Sequence, residues 1–259
     1  MSEEEKVAVE QPVVAVEEIE ETTVVKEKIT PFELWTPKTS LGAKVKAKII
    51  TNIDQILDAG DRVLEAEIVD YLIPGMTNEL LLIGQSKGKF GGGARRVFKQ
   101  TQKKTPEGNK PSFSCLAVVG NGNGYVGAGK GKSKDTVPAR EKAVRNAKRN
   151  IFKIKRGCGS WVCGCKEPHS IPVEVHGKCG SVEITLMPAP KGTGLSVETE
   201  CQKILKLAGV KDVWSKTFGQ TRKKANMISA LLGALKQLNE FKLRPEDAEK
   251  VGLVSGGTK

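Results

Sequence analysis

Residues 112–156 leave the chain little freedom of fold. Ser112 to Val119 (SFSCLAVV) reads as a buried strand, and Tyr125 to Gly129 as a second. Between them lies Gly120-Asn121-Gly122-Asn123-Gly124, a run of the two residue types that accept positive φ most readily, so the strands form a hairpin. A helix follows. Asp135 or Thr136 can cap it, Pro138 suits its first turn, and Ala139, Ala143, Ala147 and Ile151 share one face, with Val144 and Ile154 beside them. Alanines at that spacing let a helix lie close against a sheet. The other face carries Arg140, Lys142, Arg145, Lys148 and Arg149. With the apolar strand at residues 79–84 (ELLLIG), this makes a compact α+β unit with one strongly basic side.

Charge narrows the function. The 259-residue chain has a formal net charge of +12, yet residues 84–156 alone hold 19 bases and three acids. Packing those cations into one folded segment costs self-repulsion unless a polyanion offsets them. Nucleic acid fits, because each neutralised phosphate releases a condensed counterion. A solvated basic surface kept for solubility is the plain alternative. Residues 1–30 are the opposite, with nine acids and three bases, and read as a disordered acidic tail. No apolar run reaches the ~18 residues of a membrane helix, and MSEEEK is unlike the start of a secretory signal. Trp, Tyr and Phe total 12, which argues against a broad base-stacking platform.

The remaining segments divide as follows. Residues 31–78 form a helical N-terminal extension: Val45, Ile49, Ile53, Ile56 and Leu57 have helical spacing up to Gly60, and Leu64, Ile68 and Leu72 are four apart before Pro74-Gly75. The α+β unit spans 79–156 and contains a basic, Gly-rich loop at 86–110. A Cys-rich connector covers 157–169. A second α+β unit spans 170–243: strands at 171–176 and 181–187, a helix at 197–208, a strand at 212–218 and a helix at about 223–240. Residues 244–259 read as a mobile tail.

Four of the six cysteines fall between 158 and 179. Cys158, Cys163, Cys165 and His169 make C-x4-C-x-C-x3-H, a soft ligand set that a Gly-rich loop can wrap around zinc as a structural staple. Cys179 or His176 can replace one ligand. The alternative is a reduced cluster without metal. Cys115 and Cys201 read as core residues.

Three longer stretches carry a resemblance. They are VVGNGNGYVGAGKGKSKDTVPAREKAVRNAKRNIFKIKRG from Val118, HSIPVEVHGKCGSVEITLMPAPKGTGL from His169 and LAGVKDVWSKTFGQTR from Leu207. Together with WTPKTSLG and IVDYLIPGM near the N-terminus, they resemble the family of the fifth protein of the small ribosomal subunit, in its archaeal form. The similarity covers roughly residues 34–243. It implies a double-stranded-RNA-binding-like domain followed by a βαβα domain with a left-handed crossover. It also implies binding to small-subunit rRNA, contact with the fourth and eighth proteins of the subunit, and a cytoplasmic place in the ribosome beside incoming mRNA and the decoding region, with a role in accuracy. No catalysis, no membrane and no homo-oligomer are implied. The 86–110 loop is longer than the family pattern, by a segment resembling KGKFGGGARRVF.

On that resemblance the loop's role in reaching rRNA falls to Lys87, Lys89, Arg95 and Arg96, beside Gly91-Gly92-Gly93, where backbone can approach RNA closely. Lys130, Lys132 and Lys134 lead into a helix N-terminus that also favours phosphate, and Arg140, Arg145 and Arg149 extend the contact. A-form RNA offers mainly phosphate, shape and 2′-OH to such groups. Lys191, in PAPKGTGL, is assigned to rRNA and protein contact. Two rival functions remain open to the sequence: a double-stranded-RNA-binding factor outside the ribosome, and a small-molecule kinase sharing the second fold. The second lacks a GK[ST] phosphate loop and a neighbouring Asp.

Overall fold

The computed structural model describes residues 35–85 and 93–257. The expected acidic tail and the loop residues Lys87 and Lys89 lie outside the described residues.

Three short helices open the described chain: α1 (Ser40–Lys46), α2 (Ile53–Ala59) and α3 (Ala66–Leu72). The continuous pattern expected from Val45 to Leu57 is broken. Lys48 takes φ 58, which a helix cannot continue, and Ile49 is exposed instead of joining the apolar face. Leu64 likewise stands in solvent, while Ile68 and Val69 are fully buried. Thr39 caps α1 through its side chain, which accepts from the Gly42 N–H at 3.1 Å.

The first sheet contains β1 (Thr77–Leu81), β2 (Lys99–Thr105), β3 (Gly108–Gly120), β4 (Tyr125–Ser133) and β5 (Ile151–Lys153). Its order is β1-β3-β4-β5, with β2 also paired to β3, and all pairings are antiparallel. Part of the expected 86–110 loop is therefore strand: β2 and β3 form a second hairpin over Thr105↔Gly108. Between β3 and β4 the turn is closed by Asn121, whose Oδ1 accepts from the Asn123 N–H at 2.8 Å.

Helix α4 (Thr136–Arg149) lies on β3 and β4. Ala139, Ala143 and Ala147 are fully buried, as expected. The facing residues on β4 are glycines, and a Cβ at Gly131 would fall 2.0 Å from the Ala139 carbonyl oxygen. Ile151 and Ile154 do not extend this helix. The chain turns at Asn150, and Ile151 pairs with Gly127 in β5.

Past β6 (Lys155–Arg156) and the Cys-rich connector come β7 (Val175–Cys179), β8 (Val182–Pro188), β9 (Leu195–Ser196), α5 (Thr199–Ala208), β10 (Val213–Phe218) and α6 (Lys224–Glu240). The sheet order is β7-β8-β10-β9; only β9 and β10 run parallel. The strand expected at 171–176 starts later, at Val175, because Ser170 and Ile171 instead hold the connector: Gly157 and Ser170 form an isolated bridge, and the Gly159 N–H donates to the Ile171 carbonyl. Where a mobile tail was expected, Pro245–Val251 forms α7, and β11 (Val254–Ser255) pairs with β6. Buried Arg156 reaches under it, its guanidinium donating to the Gly209 and Gly256 carbonyls at 3.3 Å each.

Strand β3 explains why the two sheets pack as one body. Cys115, Ala117 and Val119 face α4, whereas Leu116 and Val118 point the other way. On that second side Leu81, Val118, Val126 and Ile154 share a core with Ile184, Leu186, Ile204, Leu205, Ile228 and Leu231. Helix α5 packs against β1, β3 and β4 of the first sheet and against α6, which in turn covers β7 and β8 of the second. Residues expected in two separate domains thus bury a continuous apolar interior. Cys201 is fully buried within it and Cys115 is fully buried on the α4 side of β3, both core residues as expected.

Candidate nucleic-acid interface and metal centre

A cleft of ≈ 1450 Å³ opens where the first sheet meets the N-terminus of α6. Arg95, Arg96 and Lys99 line it from the β2 side, Lys130 from β4, and Arg222, Lys223 and Lys224 from the approach to α6. Among the described residues, no Asp or Glu lines it. Arg95 is held in place: its Nη2 donates to the Arg222 carbonyl at 3.2 Å. Lys224 is committed to Glu198 at 2.6 Å, while Arg96, Lys99 and Lys130 are exposed. Seven cations, six of them without an ion-pair partner among the described residues, stand around one concave surface and attract an extended polyanion. Apolar Phe98, Phe113 and Leu116 also line the cleft.

The other expected cations divide between two faces. Lys130 and Lys132 alternate with Gly129 and Gly131, which abut α4, so both lysines project from the side of the sheet away from that helix. Arg140, Arg145 and Arg149 are exposed on the outer surface of α4. Lys134, also exposed, lies between β4 and α4. Lys148 is not free; it bonds Asp70 of α3 at 2.6 Å. Sequence reading missed Lys99, Arg222 and Lys223 at the cleft. The signal available was the basic run TRKK just before α6, whose position relative to the first sheet only tertiary packing sets.

Lys191 stands elsewhere. Its ammonium bonds Glu167 Oε2 at 2.7 Å, and this carboxylate raises the Lys191 pKa while its own is lowered. That places Lys191 over the cysteine cluster.

The cluster itself is well gathered. One ligand atom from each of Cys158, Cys163, Cys165 and His169 lies within 4.8 Å of every other. A tetrahedron with Zn–S bonds of about 2.3 Å has edges of about 3.8 Å. Cys163 Sγ to His169 Nε2 measures 3.9 Å. Cys158 and His169 are buried and the other two half-buried. All the cysteines are free thiols. Burial pushes the Cys158 thiol up to about 11, whereas the Lys191 backbone N–H, followed by that of Cys165, draws Cys163 down to about 6. The group can hold a metal ion. The substitutes weighed from sequence do not join it: His176 bonds Thr185 in the second sheet, and Cys179 pairs within it.

Comparison with known proteins adds a separate line of support. Residues 94–155 match the family described as ribosomal protein S5, N-terminal domain, and residues 177–250 match ribosomal protein S5, C-terminal domain. The chain is 48% identical over 225 residues to small ribosomal subunit protein uS5 of Nanoarchaeum equitans, covering 87% of this chain and 96% of that protein. It is 46% identical to the protein of that name from Methanocaldococcus jannaschii, over 86% of this chain and 95% of the relative. The Pyrobaculum calidifontis counterpart is 45% identical, over 83% and 99% respectively.

Proposed function

The chain belongs to the uS5 family of small ribosomal subunit proteins, in its archaeal type, and on that premise we propose that the basic cleft is its principal rRNA-binding surface. The protein is a structural component of the ribosome, located with it in the cytoplasm, and not an enzyme. The observation that carries the reading is the cleft, lined among the described residues by seven cations and no acid.

In this reading the first sheet with α4 is a double-stranded-RNA-binding-like domain, and the second sheet with α5 and α6 is the βαβα domain with a left-handed crossover. Arg95, Arg96 and Lys130 contact phosphates in the cleft. Lys132 and Lys134 continue the track, and Lys87 and Lys89 also contact rRNA. Arg140, Arg145 and Arg149 meet a second RNA segment across α4, which fits their separation from the cleft face. Lys191 contacts rRNA or a neighbouring protein. The fourth and eighth proteins of the subunit are its neighbours, and mRNA passes nearby where it enters, so the protein supports assembly and decoding accuracy. Cys158, Cys163, Cys165 and His169 hold a structural zinc.

The test is incorporation into small subunits. Arg95→Glu with Arg96→Glu reduces incorporation, measured by sedimentation in high salt, far more than Lys242→Glu at an exposed site outside the cleft. Equal incorporation of the two variants counts against the cleft. Recovery of the wild-type chain chiefly outside subunits, bound to duplex RNA, favours a free RNA-binding factor instead.

A further inference from the structure

The metal ligands do not stand alone. His169 Nδ1 lies 2.9 Å from Asp212 Oδ2, and the two side chains are 4% and 6% exposed. A carboxylate there keeps the ring proton on Nδ1 and leaves the Nε2 lone pair directed at Cys163. The second oxygen of the same carboxylate, Oδ1, accepts the backbone N–H of Gly192 at 3.2 Å and of Gly194 at 2.7 Å. At the near end of that loop the Lys191 ammonium bonds Glu167 Oε2 at 2.7 Å. Ser170 closes the arrangement: its hydroxyl donates to the Asp212 carbonyl at 2.5 Å and accepts from the Ala189 N–H at 3.3 Å. Two backbone N–H groups of the loop thus converge on the carboxylate behind the candidate ligand imidazole.

We propose that Asp212 is the orienting carboxylate of a closed, four-ligand zinc centre, and that metal loading fixes the 190–194 loop bearing Lys191. The proposal rests on the zinc reading given above and deepens it. Zinc draws the three sulfurs together as their protons leave to solvent. That holds the His169 ring against Asp212. Asp212 can then serve both His169 and the two glycine N–H groups. Gly192 and Gly194 both take positive φ (92 and 74), and a Cβ at either would touch nothing, so backbone conformation, not crowding, explains the two glycines. The loop is tied to the centre by the two N–H bonds to Asp212, and its Lys191 ammonium is steered further by Glu167.

Purified full-length chain, stripped of metal, is titrated with Zn²⁺ and with Co²⁺ as a spectroscopic substitute. Wild type is expected to bind one ion with a tetrahedral, thiolate-rich Co²⁺ spectrum. Asp212→Asn is expected to weaken affinity about 10–100-fold, while Asp247→Asn, an exposed carboxylate on α7, leaves it unchanged. In the wild-type chain Zn²⁺ should slow amide exchange at Lys191, Gly192 and Gly194; this second measurement stands even if the Asp212 variant fails to fold. Zinc bound with wild-type affinity by Asp212→Asn, or loop exchange indifferent to zinc, overturns the Asp212 proposal and leaves the zinc reading standing. Absence of any metal binding by wild type overturns both.

Discussion

The backbone N–H of Leu82, at the end of β1, donates to Glu200 Oε2 in α5 at 2.9 Å, across 118 residues of chain. Glu200 is 4% exposed and its remaining capacity is taken by Lys203 at 3.1 Å. One buried carboxylate therefore joins the first sheet to the second half of the molecule. Glu200→Ala leaves the Leu82 N–H unpaired and is expected to cost roughly 1–3 kcal/mol. Glu200→Gln keeps an acceptor oxygen and should cost less. Urea midpoints of the two variants check this; equal losses would show that the bond to Leu82 contributes nothing.

Close approach of α4 to β4 makes the opposite prediction for two glycines. A Cβ at Gly129 would lie 2.1 Å from the Ala147 nitrogen, so Gly129→Ala forces the helix off the sheet and should cost about 1–3 kcal/mol. Gly233, within α6, has nothing within 4 Å of its Cβ position, and Gly233→Ala should stabilise by about 0.5–1 kcal/mol through helix propensity. Thermal unfolding reads both, at about 2–4 °C per kcal/mol for a chain of this size.

Glu65 gives the N-terminal helices a dependence on acid. Partial burial tends to raise its pKa, but hydrogen bonds from the Thr39 side chain, the Lys38 and Thr39 backbone and Trp35 Nε1 prevail and lower it below 4.5. A depressed folded pKa contributes stability that is complete above 4.5 and lost as pH falls through the lower folded value. Glu65→Gln should flatten the pH dependence of unfolding in that window, followed by Trp35 fluorescence. An unchanged acid slope would remove Glu65 from the account.

The cleft predicts a change in salt dependence. Arg222→Ala should weaken binding of small-subunit rRNA and reduce the slope of log affinity against log salt by about 1. Asp247→Asn should leave that slope alone. Titrations at several salt concentrations decide, and a slope unaffected by Arg222→Ala would place Arg222 off the RNA path.

Much of this architecture could be read from residue patterns. The GNGNG turn, the alanine spacing of α4 and the C-x4-C-x-C-x3-H ligand set were each legible, because local chemistry determines each: positive φ, helical period and short chelate loops. Register and breaks were less legible. Ile151 continues the helical spacing of α4 yet pairs with Gly127, since the exposed edge of β4 offers hydrogen bonds that a longer helix would forgo. The tail after Arg244 looked featureless because its order comes from β6 and Arg156, about 100 residues earlier.

By itself the sequence determined the β3–β4 hairpin and α4, the excess of cations between residues 84 and 156 and four candidate metal ligands, since each depends on neighbours close along the chain. Tertiary structure alone decided that Arg95 and Arg222 face one cleft, that Arg140 and Lys130 look to different sides, and that Asp212 stands behind His169. Those relations join residues 10 to 127 positions apart, and a linear pattern carries no information about which distant backbone segments the burial of a common core will bring together.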